Sequence, residues 1–546
     1  MTDLSRTSGE GFGLTLGYRD EDAYGAAVDE LVAERFASRL VARDATLWGP
    51  DAEDEASKRL SWVDLHQASR PLVAEIEDLR RDLVGRGLDH VVLCGMGGSS
   101  LAPEVICKAA GVELTVLDSS DPDYVRAALA DRLERSVVVV SSKSGGTVET
   151  DSQRRAYEQA FTDAGLDPVD HLVVVTDPGS PLDETAREAG YRVFNADAGV
   201  GGRYSALTAF GLVPSGLAGA DIGALLDQAA ALAPVLGSDD ADNPGLRLGA
   251  LLGVANRAGA DKLVLAEVDS GLPGLGDWIE QLVAESTGKQ GRGILPVVVE
   301  STSASNFSPS TDDEVLVTFG PGSVFDRTPP ASGFSATVDA TLGGAMLLWE
   351  HATVAAGRLI GINPYDQPDV ESAKQAARDM LGGDASSPTP AFTDAGVTVY
   401  DTGEWLPEEV STTAEAIGAL LDHLDPEHGY VAVQVYTDRA RDASFAGVRE
   451  ALAAKTGRPV TFGWGPRFLH STGQYHKGGP ATGVYLQVTA DPSQDLAVPG
   501  REFTFGTFIA AQAVGDGTVL ADKGRPVLRL HLADASGLTA LEDLLS

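Results

Sequence analysis

The sequence predicts an α/β protein in which two doubly wound parallel-sheet domains of similar design are followed by a C-terminal α/β domain. Three observations predict it. From His90 onward, short apolar runs alternate with helix-length segments, the pattern of strands buried on both faces between helices. The alternation starts again near Asp261, and a third unit begins near Ala395. The expected boundaries are 1–85 for an N-terminal helical segment packing on the first domain, 86–240 and 241–394 for the two sheet domains, and 395–546 for the last.

Taken in order, "AAVDELVAERFASRLVARD" and "SRPLVAEIEDLRRDLVGRG" place apolar residues at three- and four-residue intervals, so residues 1–85 read as helices. In the first domain the strands are "VVLC", "LTVL" (114–117), "VVVVSS" (137–142) and "HLVVVT" (171–176). An Ala/Gly-rich stretch from about 216 to 245 leads to "KLVLAEV", "LPVVVE" (295–300) and "EVLVTF" (314–319). After "GGDASSPTP" the last domain carries "VTVY", "YVAVQVY", "GVYLQV" and "VLRLHL".

Charge narrows the function. With 80 acidic and 41 basic residues among 546, the formal net charge is -39 and is spread along the chain. Such a field repels nucleic acid and anionic membrane, so neither is an expected partner. An anionic substrate would need a locally positive site. Cys94 and Cys107, the two cysteines, form no disulfide or metal-ligand framework, which fits a reducing cytoplasm. "MTDLSRTSGEGFG" has no apolar signal core, and the longest apolar stretch, 343–361, is broken by Glu350, His351 and Arg358.

The informative stretch is "VVLCGMGGSSLAP", a buried strand running into three glycines and two serines. Ligands of open parallel sheets sit at the carboxyl ends of strands, where glycine lets backbone N–H groups approach and the next helix presents its positive end. It is neither a dinucleotide fingerprint nor a Walker loop. A second loop of the same design, "VVVVSSKSGGTVET", gathers Ser142, Lys143, Ser144 and Thr147 within six positions. Hydroxyls, helix-start amides and one ammonium suit a phosphate without a metal. The plainer reading is a serine-rich turn with Thr147 as a helix cap.

"GMGGSSLAPEV" and "SSKSGGTVET" resemble the sugar-isomerase domains of phosphoglucose isomerases. "GGRYSALTAFGL", "QLVAESTGK" and "INPYDQPDVESAK" resemble that family's remaining signatures in the same order, so the likeness spans about 90–380. It implies that Gly98 and Ser99 contact the sugar and that Ser142, Lys143, Ser144 and Thr147 hold its 6-phosphate.

"GDWIEQLVAESTGKQG" reads as a helix with Asp277 and Glu280 as a capping box and Gly288 as the stop. Gln281 and Glu285 share a face. Placed in the last turn, Glu285 meets the negative end of the helix dipole, which raises its pKa as a general base requires. Alone, it also reads as a surface Glu paired with Lys289. The resemblance makes Glu285 the base moving a proton between C2 and C1, with Gln281 binding. An enediolate needs a cation aimed at its oxyanion, and Arg203 in "GGRYS" is the candidate; a structural arginine paired with a carboxylate is the other reading. Pro368 fits the first position of a helix running through Lys374. The resemblance gives Gln367 a substrate contact and makes Lys374 a catalytic cation near the ring oxygen or O1.

The family's ring-opening histidine falls between its glutamate and lysine motifs, where this chain has only His351, inside an apolar helix. The C-terminal "GPRFLHSTGQYHKGGP" offers His470 and His476, and this domain resembles the tail of isomerases fused to or associated with transaldolase. His476, or else His470, is expected to replace the missing group, within the chain or across a dimer; a binding loop with no catalytic part is the competing view. The expected protein is a glucose 6-phosphate/fructose 6-phosphate isomerase with no cofactor or metal. The alternatives are a sugar-phosphate-binding regulator and an isomerase of a related hexose phosphate such as mannose 6-phosphate. A homodimer and association with transaldolase complete the expectation.

Overall fold

The computed structural model describes residues 4–9, 11–325, 329–369, 381 and 388–546. The chain opens with a hairpin, β1 (Leu4–Gly9) and β2 (Phe12–Gly17), which the helical reading of 1–85 misses. Helices follow, among them Glu21–Ala33 and Arg70–Gly85. The first sheet is formed by β3 (His90–Gly95), β4 (Thr115–Leu117), β5 (Ser136–Ser141), β6 (Leu172–Thr176) and β7 (Arg192–Asn195). It is wholly parallel, in the order β4-β3-β5-β6-β7.

The second sheet contains β8 (Lys262–Glu267), β9 (Leu295–Val299), β10 (Glu314–Phe319) and β11 (Ser335–Ala340), all parallel. The N-terminal hairpin extends it, β2 pairing antiparallel with β11. Residues 1–85 therefore do not pack on the first domain alone. Helix Glu21–Ala33 lies on Pro244–Arg257 of the second unit, and Arg70–Gly85 on Ala209–Ala218 of the first. The alternation of Phe12, Leu14 and Leu16 in "FGLTLG" is the strand signal, overshadowed by the long helical runs that follow.

The third sheet comprises β12 (Phe392–Asp394), β13 (Val397–Thr402), β14 (Tyr430–Tyr436), β15 (Val460–Trp464), β16 (Gly483–Ala490) and β17 (Val527–Leu532), in the order β12-β13-β17-β16-β14-β15. Its four strands β14 to β17 are parallel.

Burial explains how three sheets make one body. Leu93 and Val139 of the first sheet share a continuous core with Leu265 and Val317 of the second. The other face of the first sheet packs on that domain's own helices, Val138 and Val174 sharing a cluster with Val125, Tyr157 and Phe161, to which the C-terminal domain adds Val498 and Phe505. On the second sheet Val264 and Val297 cluster with Ala284 and with Tyr475 and Tyr485 of the C-terminal domain. Strands buried on both faces need apolar residues throughout, which is why "VVVV" and "LVVV" carry no alternation. Among the described residues no helix is long and apolar enough to cross a membrane.

Candidate active site

Strands β3 and β5 are adjacent and parallel, so the turns after them leave the same edge of the first sheet. The sheet order reverses direction between these two strands, the position at which open α/β sheets bind ligands. After β3 the chain enters a tight turn, Gly97–Ser99, with Gly97 at φ 54°. A Cβ on Gly98 would fall 2.0 Å from the carbonyl oxygen of Gly202, so only glycine lets this turn meet the "GGRYS" loop backbone to backbone.

After β5, the Ser142 hydroxyl accepts from Gly145 N and donates to Thr147 Oγ1 at 3.3 Å. Thr147 stands at the N-cap of helix Val148–Asp163, yet its side chain makes no capping bond. The positive end of that 16-residue helix therefore faces the cleft beside three hydroxyls. Lys143 lies here too, with its ammonium directed at Asp177 Oδ2 (2.9 Å), Val200 O (2.9 Å) and Ala198 O (3.2 Å). It holds the loop and contributes charge, rather than a free donor.

Helix Leu275–Thr287 supplies the carboxylate. It begins at Gly274 and ends at Gly288. The stop is where the sequence places it, but the start is not: the Asp277/Glu280 capping box does not form. These two acids line a neighbouring cavity with Arg439 and Arg467. Gln281 and Glu285 do share a face, and both line a cleft of about 350 Å³ together with Gly98, Ser99, Ser142, Lys143, Ser144, Thr147 and Gln367.

Glu285 is 5% exposed. Its Oε2 accepts from Arg203 Nη1 at 3.3 Å and from Gln367 Nε2 at 3.4 Å. Burial raises its pKa, and the Arg203 charge opposes that rise without cancelling it. The surface pairing of Glu285 with Lys289 is absent. Lys289 is fully buried and instead donates to Asn363 O (2.8 Å) and to both Asp366 O and Oδ1 (2.7 Å each), pinning the loop that carries Gln367.

Arg203 is 2% exposed and lies behind Glu285, not in the lining of the cleft. Its other end donates to Pro364 O at 2.7 Å and Asp366 O at 3.4 Å. The sequence reading aimed this guanidinium at a substrate oxyanion; the geometry instead gives it to the base.

The histidine expectation is also corrected. His476 does not line the cleft: it is 2% exposed, with Nδ1 3.0 Å from the Tyr430 hydroxyl and its ring stacked on Tyr430. Burial pushes its basicity well down, so it is a neutral core group. His351 is likewise buried, edge-on to Trp62 at 5.2 Å, with its pKa lowered to about 3 by burial. His470, the second candidate, does line the cleft. Its Nε2 lies 3.0 Å from Glu149 Oε1, which also accepts from Gln512 Nε2 at 2.7 Å, and its carbonyl accepts from Gln281 Nε2 at 2.8 Å. Lys374, and the helix expected around it, lie outside the described residues.

Sequence reasoning misses several contributors. Glu149 stands in the quoted "SGGTVET", but its partners come from 321 and 363 residues away. Arg59 and Glu55, paired at 2.7 Å, bring the N-terminal segment to the cleft, and Tyr365 joins from the loop before Gln367. No local pattern marks them, because an i,i+4 pair on an acidic helix is ordinary surface chemistry.

Known proteins resemble the part of the chain that carries these turns and the buried carboxylate. The phosphoglucose isomerase family profile covers residues 67–312. A probable glucose-6-phosphate isomerase of Natronomonas pharaonis is 31% identical over 354 residues, 57% of this chain and 83% of that protein. The chain belongs to the phosphoglucose isomerase family. A glucose-6-phosphate isomerase of Acaryochloris marina is 32% identical over 346 residues, 53% of this chain and 65% of that one. In structure, a glucose-6-phosphate isomerase from Chlamydia trachomatis superposes with TM-score 0.56 at 22% identity, over 70% of this chain and 90% of the other, which supports the shared fold. Within the family, Glu149, Glu285, Gln281 and the two glycine-bearing turns all fall in the matched 67–312 region, whereas His470 is supplied from outside it.

Proposed function

We propose that this chain interconverts glucose 6-phosphate and fructose 6-phosphate by moving a proton between C2 and C1 through a cis-enediol. The observation that carries this reading is the placement of Glu285 and the Ser142–Thr147 hydroxyls in the lining of one cleft of about 350 Å³, the space of a single hexose phosphate. The phosphate sits at the start of helix Val148–Asp163, held by Ser142, Ser144 and Thr147 in the field of Lys143 and Arg59. Gly98 and Ser99 leave room for the sugar at the turn after β3.

Glu285 takes the proton from one carbon and returns it to the next. Its burial makes it more basic than a surface glutamate, while Arg203 keeps it ionisable and fixed through a buried hydrogen bond. Gln281 and Gln367 flank it with amides suited to the hydroxyls of the enediol. His470, oriented by Glu149, is the group for ring opening, a general acid-base step in which the carboxylate sets the imidazole tautomer. Lys374 keeps the role the family resemblance implies, a cation near O1 or the ring oxygen. The same reading extends to a homodimer and to association with transaldolase in the cytoplasm.

The decisive experiment incubates purified protein with fructose 6-phosphate in D₂O and follows both glucose 6-phosphate and deuterium at C2, with mannose 6-phosphate run in parallel. Turnover with solvent exchange is expected for the glucose and fructose pair. Binding with neither turnover nor exchange would make the protein a sugar-phosphate sensor, and preferential turnover of mannose 6-phosphate would reassign its substrate.

A further inference from the structure

The sheet of the C-terminal domain hides a polar face. In β14, β16 and β17 alternate residues such as Val433, Leu486 and Leu530 form that domain's own core. The residues between them are Gln434 and Tyr436, Gln487 and Thr489, Arg529 and His531. Pairing sets Gln434, Gln487 and Arg529 in one row and Tyr436, Thr489 and His531 in the next. A polar sheet face usually meets water. Here helix Phe505–Asp522 packs across it, and of these six only His531 is more than 9% exposed.

Between that helix and the carboxyl ends of the strands lies a cavity of about 530 Å³. Tyr436, Thr489, Arg529 and His531 line it from the sheet, Ile509 and Val514 from the helix. It shares no lining residue with the catalytic cleft. Arg529 is 6% exposed and stacks on the Tyr400 ring at 4.1 Å, the partner opposite it on β13. Its Nε is buried without an acceptor, and no carboxylate among the described residues pairs with its guanidinium. The Tyr436 hydroxyl, in the same cavity, is buried and unpartnered too.

An unpaired buried cation is costly, and in a chain with 80 acidic residues against 41 basic ones a partner would be easy to supply. Among the described residues, the acids that reach the cavity are engaged elsewhere or exposed. Asp491 faces His531 at 3.5 Å, Asp121 caps its own helix at Tyr124 N, and Glu502 stands exposed at the rim. Burial lowers the pKa of Arg529, and among the described residues only Tyr400 and Tyr436 oppose that shift.

We infer that this cavity binds a small organic anion, its carboxylate or phosphate head paired with Arg529 and the Tyr436 hydroxyl, its apolar or ring body lying against Tyr400, Ile509 and Val514. A guanidinium fork suits either oxyanion, the volume is that of a small-molecule site, and the ends of parallel strands are where such sites form.

The test titrates benzoate and phenyl phosphate, one ring with two heads, into the full chain by calorimetry. Wild type, Arg529→Met and Tyr436→Phe are compared so that binding at the catalytic cleft cancels. At least one probe should bind wild type, about ten- to a hundred-fold more weakly to Arg529→Met and several-fold more weakly to Tyr436→Phe. The tighter probe identifies the head. Tyr436→Phe, which removes only an unpartnered hydroxyl, decides the matter if Arg529→Met does not fold. The inference is overturned if neither probe binds wild type, or if folded variants bind both probes as wild type does.

Discussion

Replacing Glu285 by glutamine separates chemistry from scaffolding at this site. Its Oε2 accepts from Arg203 Nη1 at 3.3 Å and from Gln367 Nε2 at 3.4 Å, and a glutamine carbonyl can keep both bonds. What is lost is the charge facing Arg203, a charge-assisted hydrogen bond becoming a neutral one, at a cost of about 1–2 kcal/mol in stability. The loss in rate should be far larger. A positioned general base contributes about 10²–10⁴-fold, or roughly 3–5 kcal/mol of barrier. Coupled assays on fructose 6-phosphate should therefore show kcat lower by two to four orders of magnitude. KM should stay within about threefold, since the phosphate anchor is untouched. A thermal melt run alongside confirms the fold. If kcat stayed within about tenfold of wild type in a folded protein, Glu285 would not be the base and the mechanism built on it would fail.

Three further outcomes follow from the same geometry. His470→Ala should lose about 10²-fold or more in turnover of cyclic hexose phosphate, while His476→Ala should lower melting temperature instead; near wild-type turnover by a folded His470→Ala would remove it from ring opening. Gly98→Ala puts a Cβ 2.0 Å from Gly202 O and should abolish activity by pushing the two loops apart, whereas wild-type kinetics would show that their contact is dispensable. Glu350 is 1% exposed with Oε1 unpartnered, and burial raises its pKa well above normal, so the folded protein retains a proton that the unfolded chain releases above about pH 4.3. Stability contributed by that proton falls as pH rises from about 4.3 towards the raised value of the folded state, so Glu350→Gln should raise the melting temperature more at pH 7 than at pH 5; an equal or smaller gain at pH 7 would contradict it.

Much of the fold is written locally. Unbroken apolar runs such as "VVVV" and "KLVLA" mark strands that must be covered on both faces, and these appear as β5 and β8. The glycine-hydroxyl turns are legible for the same reason, since backbone approach and helix-start amides are properties of a few consecutive residues. Gln281 and Glu285 share a face because an α-helix repeats at that spacing. Other assignments failed where a partner was distant. Nothing near Asp277 says that the helix already starts at Gly274, where Asp277 lies in its first turn and faces a cavity lined by arginines of the C-terminal domain.

By itself, then, the chain determined which residues could carry the chemistry: two turns able to receive an anion, one helix bearing a carboxylate, and a C-terminal loop holding two histidines. Only the packing decided which of them do. His470 and His476 are six residues apart, the first ending the short helical turn Arg467–His470 and the second inside helix Gly473–Gly478. One ends beside Glu149 at the cleft and the other in a cluster of tyrosines, because the C-terminal domain packs against both sheet domains. Likewise Arg203 could have faced substrate or carboxylate, and burial behind Glu285 settled it. Such choices depend on burial and on contacts across hundreds of residues, which no local pattern encodes.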